Sequence, residues 1–89
     1  MSIEFTPSAE RHGVSREDAL YAMLHPDGME EVEGHEDETT FVYVGRAHAQ
    51  SEQRLEVVAA HRPPRTVVVF HVMPLTDLYR HLLAEREDQ

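Results

Sequence analysis

The chain has 89 residues, 17 of them acidic, against eight arginines and no lysine, for a formal net charge of −9. It has no cysteine, which excludes a disulfide framework and thiolate metal ligation, and no run approaches the ~20 apolar residues that cross a bilayer. Such a length suits one domain over residues 1–89 with one modest core, and so acidic a chain has little nonspecific affinity for nucleic acid, which rests on cations meeting phosphates.

The charge is unevenly placed. Residues 1–38 hold eleven acids and two arginines, whereas residues 39–89 hold six acids and six arginines. The first residues, Met1-Ser2-Ile3-Glu4-Phe5, lack the basic region and apolar run of a signal peptide, so a cytoplasmic location is expected.

In chain order, Ile3 and Phe5 predict a short strand ahead of Pro7, and Ser8 to Arg11 a helical turn closed by Gly13. Ser15 reads as the N-cap of a helix, with Glu17 and Asp18 suited to the positive end of its dipole. Ala19, Leu20, Met23 and Leu24 form its apolar stripe, and Pro26 ends it, because the residue before a proline avoids helical geometry. Asp27-Gly28 predicts a turn, and Met29–Glu38, without apolar periodicity, a solvated loop. Residues 39–45, 54–61 and 66–73, rich in β-branched and aromatic side chains, predict three strands. The last two are joined by Arg62-Pro63-Pro64-Arg65, too short for a parallel crossover. Leu75, Leu78, Tyr79, Leu82 and Leu83 recur at i, i+3, i+4, i+7 and i+8, the spacing of an amphipathic helix packed on the sheet. The expected fold class is α+β: a small antiparallel sheet with two N-terminal helices and one C-terminal helix, the helices chiefly on one side. Leu20, Leu24, Leu55, Val57, Phe70, Val72, Leu78 and Leu82 are its expected core.

If Arg62 stands opposite Arg65, His71 falls opposite Glu56 on the face away from Leu55 and Val57. Cross-strand partners lie about 4.5–5.5 Å apart at Cβ, close enough for a carboxylate to orient an imidazole as general acid or base. A one-residue slip would separate the two, and a half-buried strand histidine is the plainer alternative. Arg62 and Arg65 bracket a turn, as solvated cations or as a phosphate clamp. Arg46 ends a strand, as a rim ion pair or a phosphate contact, and Arg80 faces outward. Tyr79 lies on the apolar stripe and reads as core. The seven histidines show no His-x-x-His or His-Glu-x-x-His spacing, so neither a metal nor another cofactor is expected.

Four segments taken together carry a resemblance. They are His12-Gly13-Val14-Ser15-Arg16-Glu17-Asp18-Ala19-Leu20, Phe41-Val42-Tyr43-Val44-Gly45-Arg46, Leu55-Glu56-Val57-Val58-Ala59 and Val67-Val68-Val69-Phe70-His71-Val72-Met73-Pro74. In this order the chain resembles the RelE/BrnT-like toxins of bacterial type II toxin–antitoxin systems. The resemblance implies a RelE/BrnT-like fold and a metal-independent endoribonuclease acting on mRNA. It also implies a cognate antitoxin, of which ribbon-helix-helix proteins are one kind. Carried onto this chain, it implies His71 and Glu56 as catalytic residues and Arg46, Arg62, Arg65 and Arg80 as RNA or phosphate contacts. Two alternatives stand beside it. One is a catalytically inactive binding or regulatory module, such as a phage- or plasmid-borne effector, whose acidic N-terminal surface meets a protein partner. The other is a domain whose acidity reflects adaptation to salt.

Overall fold

A computed structural model describes residues 2–83. Its elements are β1 (Ser2–Phe5), a 3-10 turn (Pro7–Glu10), α1 (Arg16–Leu24), β2 (Pro26–Val32), β3 (Thr39–Arg46), β4 (Arg54–Arg62), β5 (Thr66–Pro74) and a second 3-10 turn (Asp77–Tyr79). The strands form one five-stranded mixed sheet in the order β1-β5-β4-β3-β2, with β1 parallel to β5 and every other pair antiparallel. No helix among the described residues is long and apolar enough to cross a membrane.

The α+β class holds, and the β4–β5 hairpin is antiparallel as expected. The architecture differs from expectation in several parts. The sheet is mixed where an antiparallel one was expected, because β1 runs parallel to β5. The helical segments are not chiefly on one side, and β2 and the last segment differ as well. The sheet has five strands because Met29–Val32, expected to be loop, belongs to β2 and pairs with residues 40–43 of β3. β2 has little apolar patterning because it is an edge strand, held by main-chain hydrogen bonds to one neighbour, and charged side chains on an edge discourage pairing with other molecules. Only residues 33–38 of the acidic stretch are loop. The last segment is not a continuous helix from Leu75. Thr76 is extended (φ −105°, ψ 171°), and helical geometry resumes at residues 81–83 after the short turn. Whatever of the expected helix follows residue 83 lies outside the described residues.

Two apolar clusters face opposite ways, so the helical segments lie on both sides of the sheet. On one face α1 and the first 3-10 turn cover Tyr43, Leu55, Val57, Ala59, Val69 and Val72. Small side chains let α1 sit close: Ala19 and Ala22 are fully buried, and a Cβ on Gly45 would stand 2.7 Å from the Ala22 carbonyl oxygen. This is why Leu20 is only half-buried and Leu24 exposed. Ser15 caps the helix, its hydroxyl accepting from the Asp18 amide at 3.1 Å. On the other face Leu82 packs on Val42, Val44 and Val58. Of the expected core, Leu55, Val57, Val72 and Leu82 are buried, while Leu78 is 69 % and Phe70 38 % exposed.

Phe70 is exposed because the hairpin register shifts beside it. Near the turn Arg62 pairs with Thr66, one residue from the expected partner Arg65, and Ala59 pairs with Val69; the next pair is Val58 with His71. Phe70 is thus the extra residue of a β-bulge, a device that re-aims the side chains after it. Its carbonyl accepts from the Ser8 hydroxyl at 2.8 Å, which ties the bulge to the first 3-10 turn.

Candidate functional site

The bulge decides which face His71 occupies. Continued without interruption, the register near the turn would set His71 opposite Val57, on the face that α1 covers. With one residue inserted, His71 pairs with Val58 and shares its face with Glu56, whose own partner is Met73. Glu56 and His71 are therefore diagonal neighbours, within reach for long side chains. The imidazole Nε2 lies 2.8 Å from Glu56 Oε2. The expected contact is present, reached through a register different from the one that suggested it.

Glu56 is only 3 % exposed, and it is fully engaged. Its Oε1 accepts from the Thr76 amide at 2.8 Å and from the Thr76 hydroxyl at 2.6 Å. Burial of a carboxyl group is tolerated when its oxygens find such donors. The same two bonds hold Thr76 extended and delay the last helix, so one carboxylate fastens the C-terminal segment to the sheet and orients His71. The His71 side chain remains 33 % exposed, and its Nδ1 makes no hydrogen bond among the described residues. This is the arrangement of an imidazole fixed through one nitrogen and available through the other.

His71 and Glu56 line a cleft of about 360 Å³ together with Val58, Phe70, Leu78 and Tyr79. Tyr79, expected to be core, is half-buried here, and its phenol holds its proton above the usual tyrosine range because of burial and then the nearby Glu56 and Glu30 carboxylates. The His12 ring stands edge-on to His71, with centroids 6.5 Å apart.

The expected phosphate contacts are not gathered at this cleft, which no arginine lines. Arg62 is paired with Glu38, and Arg80 with Asp77 at 3.0 Å. Arg46 bonds the Ala49 carbonyl at 3.4 Å, at the other end of its strand from Thr40. Arg65 sits in the β4–β5 turn and makes no ion pair among the described residues. Arg54 is held by Asp27 at 2.7 Å. No group of three or more metal-ligating side chains converges among the described residues.

Sequence reasoning missed Thr76, whose role depends on a carboxylate twenty positions away. It missed a second titratable pair as well: Tyr43 Oη and His61 Nε2 share a 2.6 Å hydrogen bond on the α1 face, with Phe41 edge-on to the histidine. Burial pushes the Tyr43 phenol up from its ordinary pKa. The only signal for that pair was a tyrosine and a histidine on strands that had to be neighbours. Comparison of the chain with family models, with curated proteins and with solved structures finds no match in any of the three.

Proposed function

We propose that this chain is a RelE/BrnT-like toxin component of a toxin–antitoxin pair, acting on RNA through the cleft at His71. The observation that carries the reading is a buried, fully hydrogen-bonded Glu56 fixing a half-exposed imidazole at the wall of an open cleft. In metal-independent cleavage, His71 Nδ1 takes the proton of a ribose 2′-hydroxyl. The 2′-oxygen attacks the adjacent phosphorus, a 2′,3′-cyclic phosphate forms, and the departing 5′-oxygen takes up a proton. Tyr79 lines the same cleft in its protonated form and is the side chain there placed to donate at that step. The partner on this reading is a cognate antitoxin of the ribbon-helix-helix kind. The test is RNA cleavage by the purified chain together with growth arrest on its induction. Wild-type protein that neither cuts RNA nor slows growth overturns the reading.

A second reading is favoured by a specific observation. Phosphoryl transition states need cations at the developing charge, yet no arginine lines the cleft, and Arg62 and Arg80 are engaged by Glu38 and Asp77. On this reading the chain is an inactive binding module, and the cleft, bordered by the acidic loop 33–38, receives a protein.

A further inference from the structure

The His71 cleft does not end at His71. A second cavity of about 350 Å³ adjoins it on the same sheet face, and the two share Glu33, Thr40 and Phe70 in their walls. They make one groove running from Tyr79 and Leu78 across Phe70 to His35 and Arg62. Its floor is apolar, formed by Val58, Ala60 and Val68, and two large apolar side chains stand open to solvent in it, Phe70 at 38 % and Leu78 at 69 % exposure. Exposed apolar surface of this kind, rimmed by charge, marks interaction sites more often than bare surface.

The rim selects the occupant. Glu33 and Glu38 of the loop 33–38 line it, and among its described lining residues the one arginine, Arg62, is already engaged by Glu38. A second copy of the chain would bring the same charge to the same place. The chain's own residues 84–89 carry three acids and one arginine and are likewise of the wrong sign. A polyphosphate backbone would meet the Glu33 and Glu38 carboxylates. We infer that this groove receives a segment of a partner protein in which apolar and cationic residues alternate, the apolar ones seated on Phe70 and Leu78 and the guanidinium or ammonium heads at the Glu33–Glu38 rim. The inference rests on the binding-module reading and names the chemistry of its partner. In an extended segment, alternate side chains point to one side, so one set reaches the floor while the backbone lies along it.

The test uses the full chain and a fluorescent peptide of alternating leucine and arginine, about eight residues long, which at roughly 3.3 Å per residue matches the 25 Å middle dimension of the molecule. Fluorescence anisotropy at low ionic strength is expected to show saturable binding. The exposed-residue variants Phe70→Ala and Leu78→Ser, and separately Glu33→Gln, should each weaken it about tenfold. Glu17→Gln with Asp18→Asn, on α1 at the opposite face, should leave it unchanged. Equal weakening by the α1 variant, equal affinity for a peptide with serine in place of leucine, or no binding overturns the inference. A peptide with glutamate in place of arginine that binds in a Phe70-dependent way would sink the cationic partner while leaving the groove a protein-binding site. A single-stranded RNA oligomer that binds in a Phe70-dependent way, where the peptides do not, would sink the binding-module reading itself.

Discussion

Glu56 is the residue on which the site turns. Its two oxygens satisfy three donors, so any one deletion leaves a buried polar group short of a partner, and such losses cost roughly 1–3 kcal/mol. Thr76→Val, which removes the hydroxyl donor and keeps the shape, should lower unfolding free energy by about that amount in urea titration; no change would mean that water replaces the hydroxyl. His71→Ala tests the function. Losing a positioned acid–base group costs ~10²–10⁴-fold in rate, so the variant should lose RNA cleavage and relieve growth arrest. It also removes a donor from buried Glu56 and should unfold earlier in denaturant by roughly 1–3 kcal/mol while remaining folded in its absence. Unchanged cleavage in the folded variant would move the chemistry elsewhere. Tyr43 supports a pH prediction. Its pKa is raised in the folded chain by burial, so the folded state holds the phenolic proton more tightly than the unfolded one. The resulting stability is fully present below the unfolded tyrosine pKa of about 10 and is lost as pH rises through the folded value. Melting temperatures should therefore fall above about pH 10, and less steeply in Tyr43→Phe than in the wild type.

At the scale of elements, the bulge in β5 and the close approach of α1 to β3 carry more of the design than the hydrophobic stripe. Phe70 reads as core because a hairpin with Arg62 opposite Arg65 puts it on one face with Leu55 and Val57, but a residue at a bulge belongs to neither alternating face. Truncating a buried phenylalanine costs roughly 3–5 kcal/mol; Phe70→Ala should cost under about 1 kcal/mol, as should Leu78→Ala, whereas Leu55→Ala should cost roughly 2–5 kcal/mol. The reverse ranking would contradict the register. Gly45→Ala should destabilise by about 1–3 kcal/mol, since the new methyl group meets the Ala22 carbonyl oxygen and α1 has to shift. The β2 edge is checked by amide exchange. Alternate amides of Met29–Val32 should be protected by bonds to β3, and those of residues 33–38 should not. Uniformly fast exchange from Met29 to Glu38 would return the segment to the loop that its composition suggests.

At the scale of the molecule, charge and burial oppose each other. Eleven acids against two arginines in the first 38 residues load β2 and the loop after it with like charges. Arg54 and Arg62 answer with pairs to Asp27 and Glu38, distant in sequence. These two pairs, both partly buried, answer only two of the eleven acids, so net repulsion should dominate. Raising salt from about 10 mM to about 150 mM, which shortens the Debye length from roughly 30 Å to 8 Å, should raise the melting temperature. A fall on adding salt would show the ion pairs to outweigh the repulsion.

The alternation of apolar residues in β3, β4 and β5, the capped helix from Ser15 and the short Arg62–Arg65 connection were legible because each depends on neighbours a few positions away. So was the pairing of His71 with Glu56, though for a register that does not occur: two long side chains on adjacent strands tolerate a diagonal offset. The strand at Pro26–Val32 was not legible, because main-chain bonds to β3 hold it and its side chains carry no pattern. The exposure of Leu78 and Phe70, the extended Thr76 and the pairing of Arg62 with Glu38 were not legible either. Each follows from where a bulge, a buried carboxylate or a distant loop comes to rest, and only the packed chain decides that.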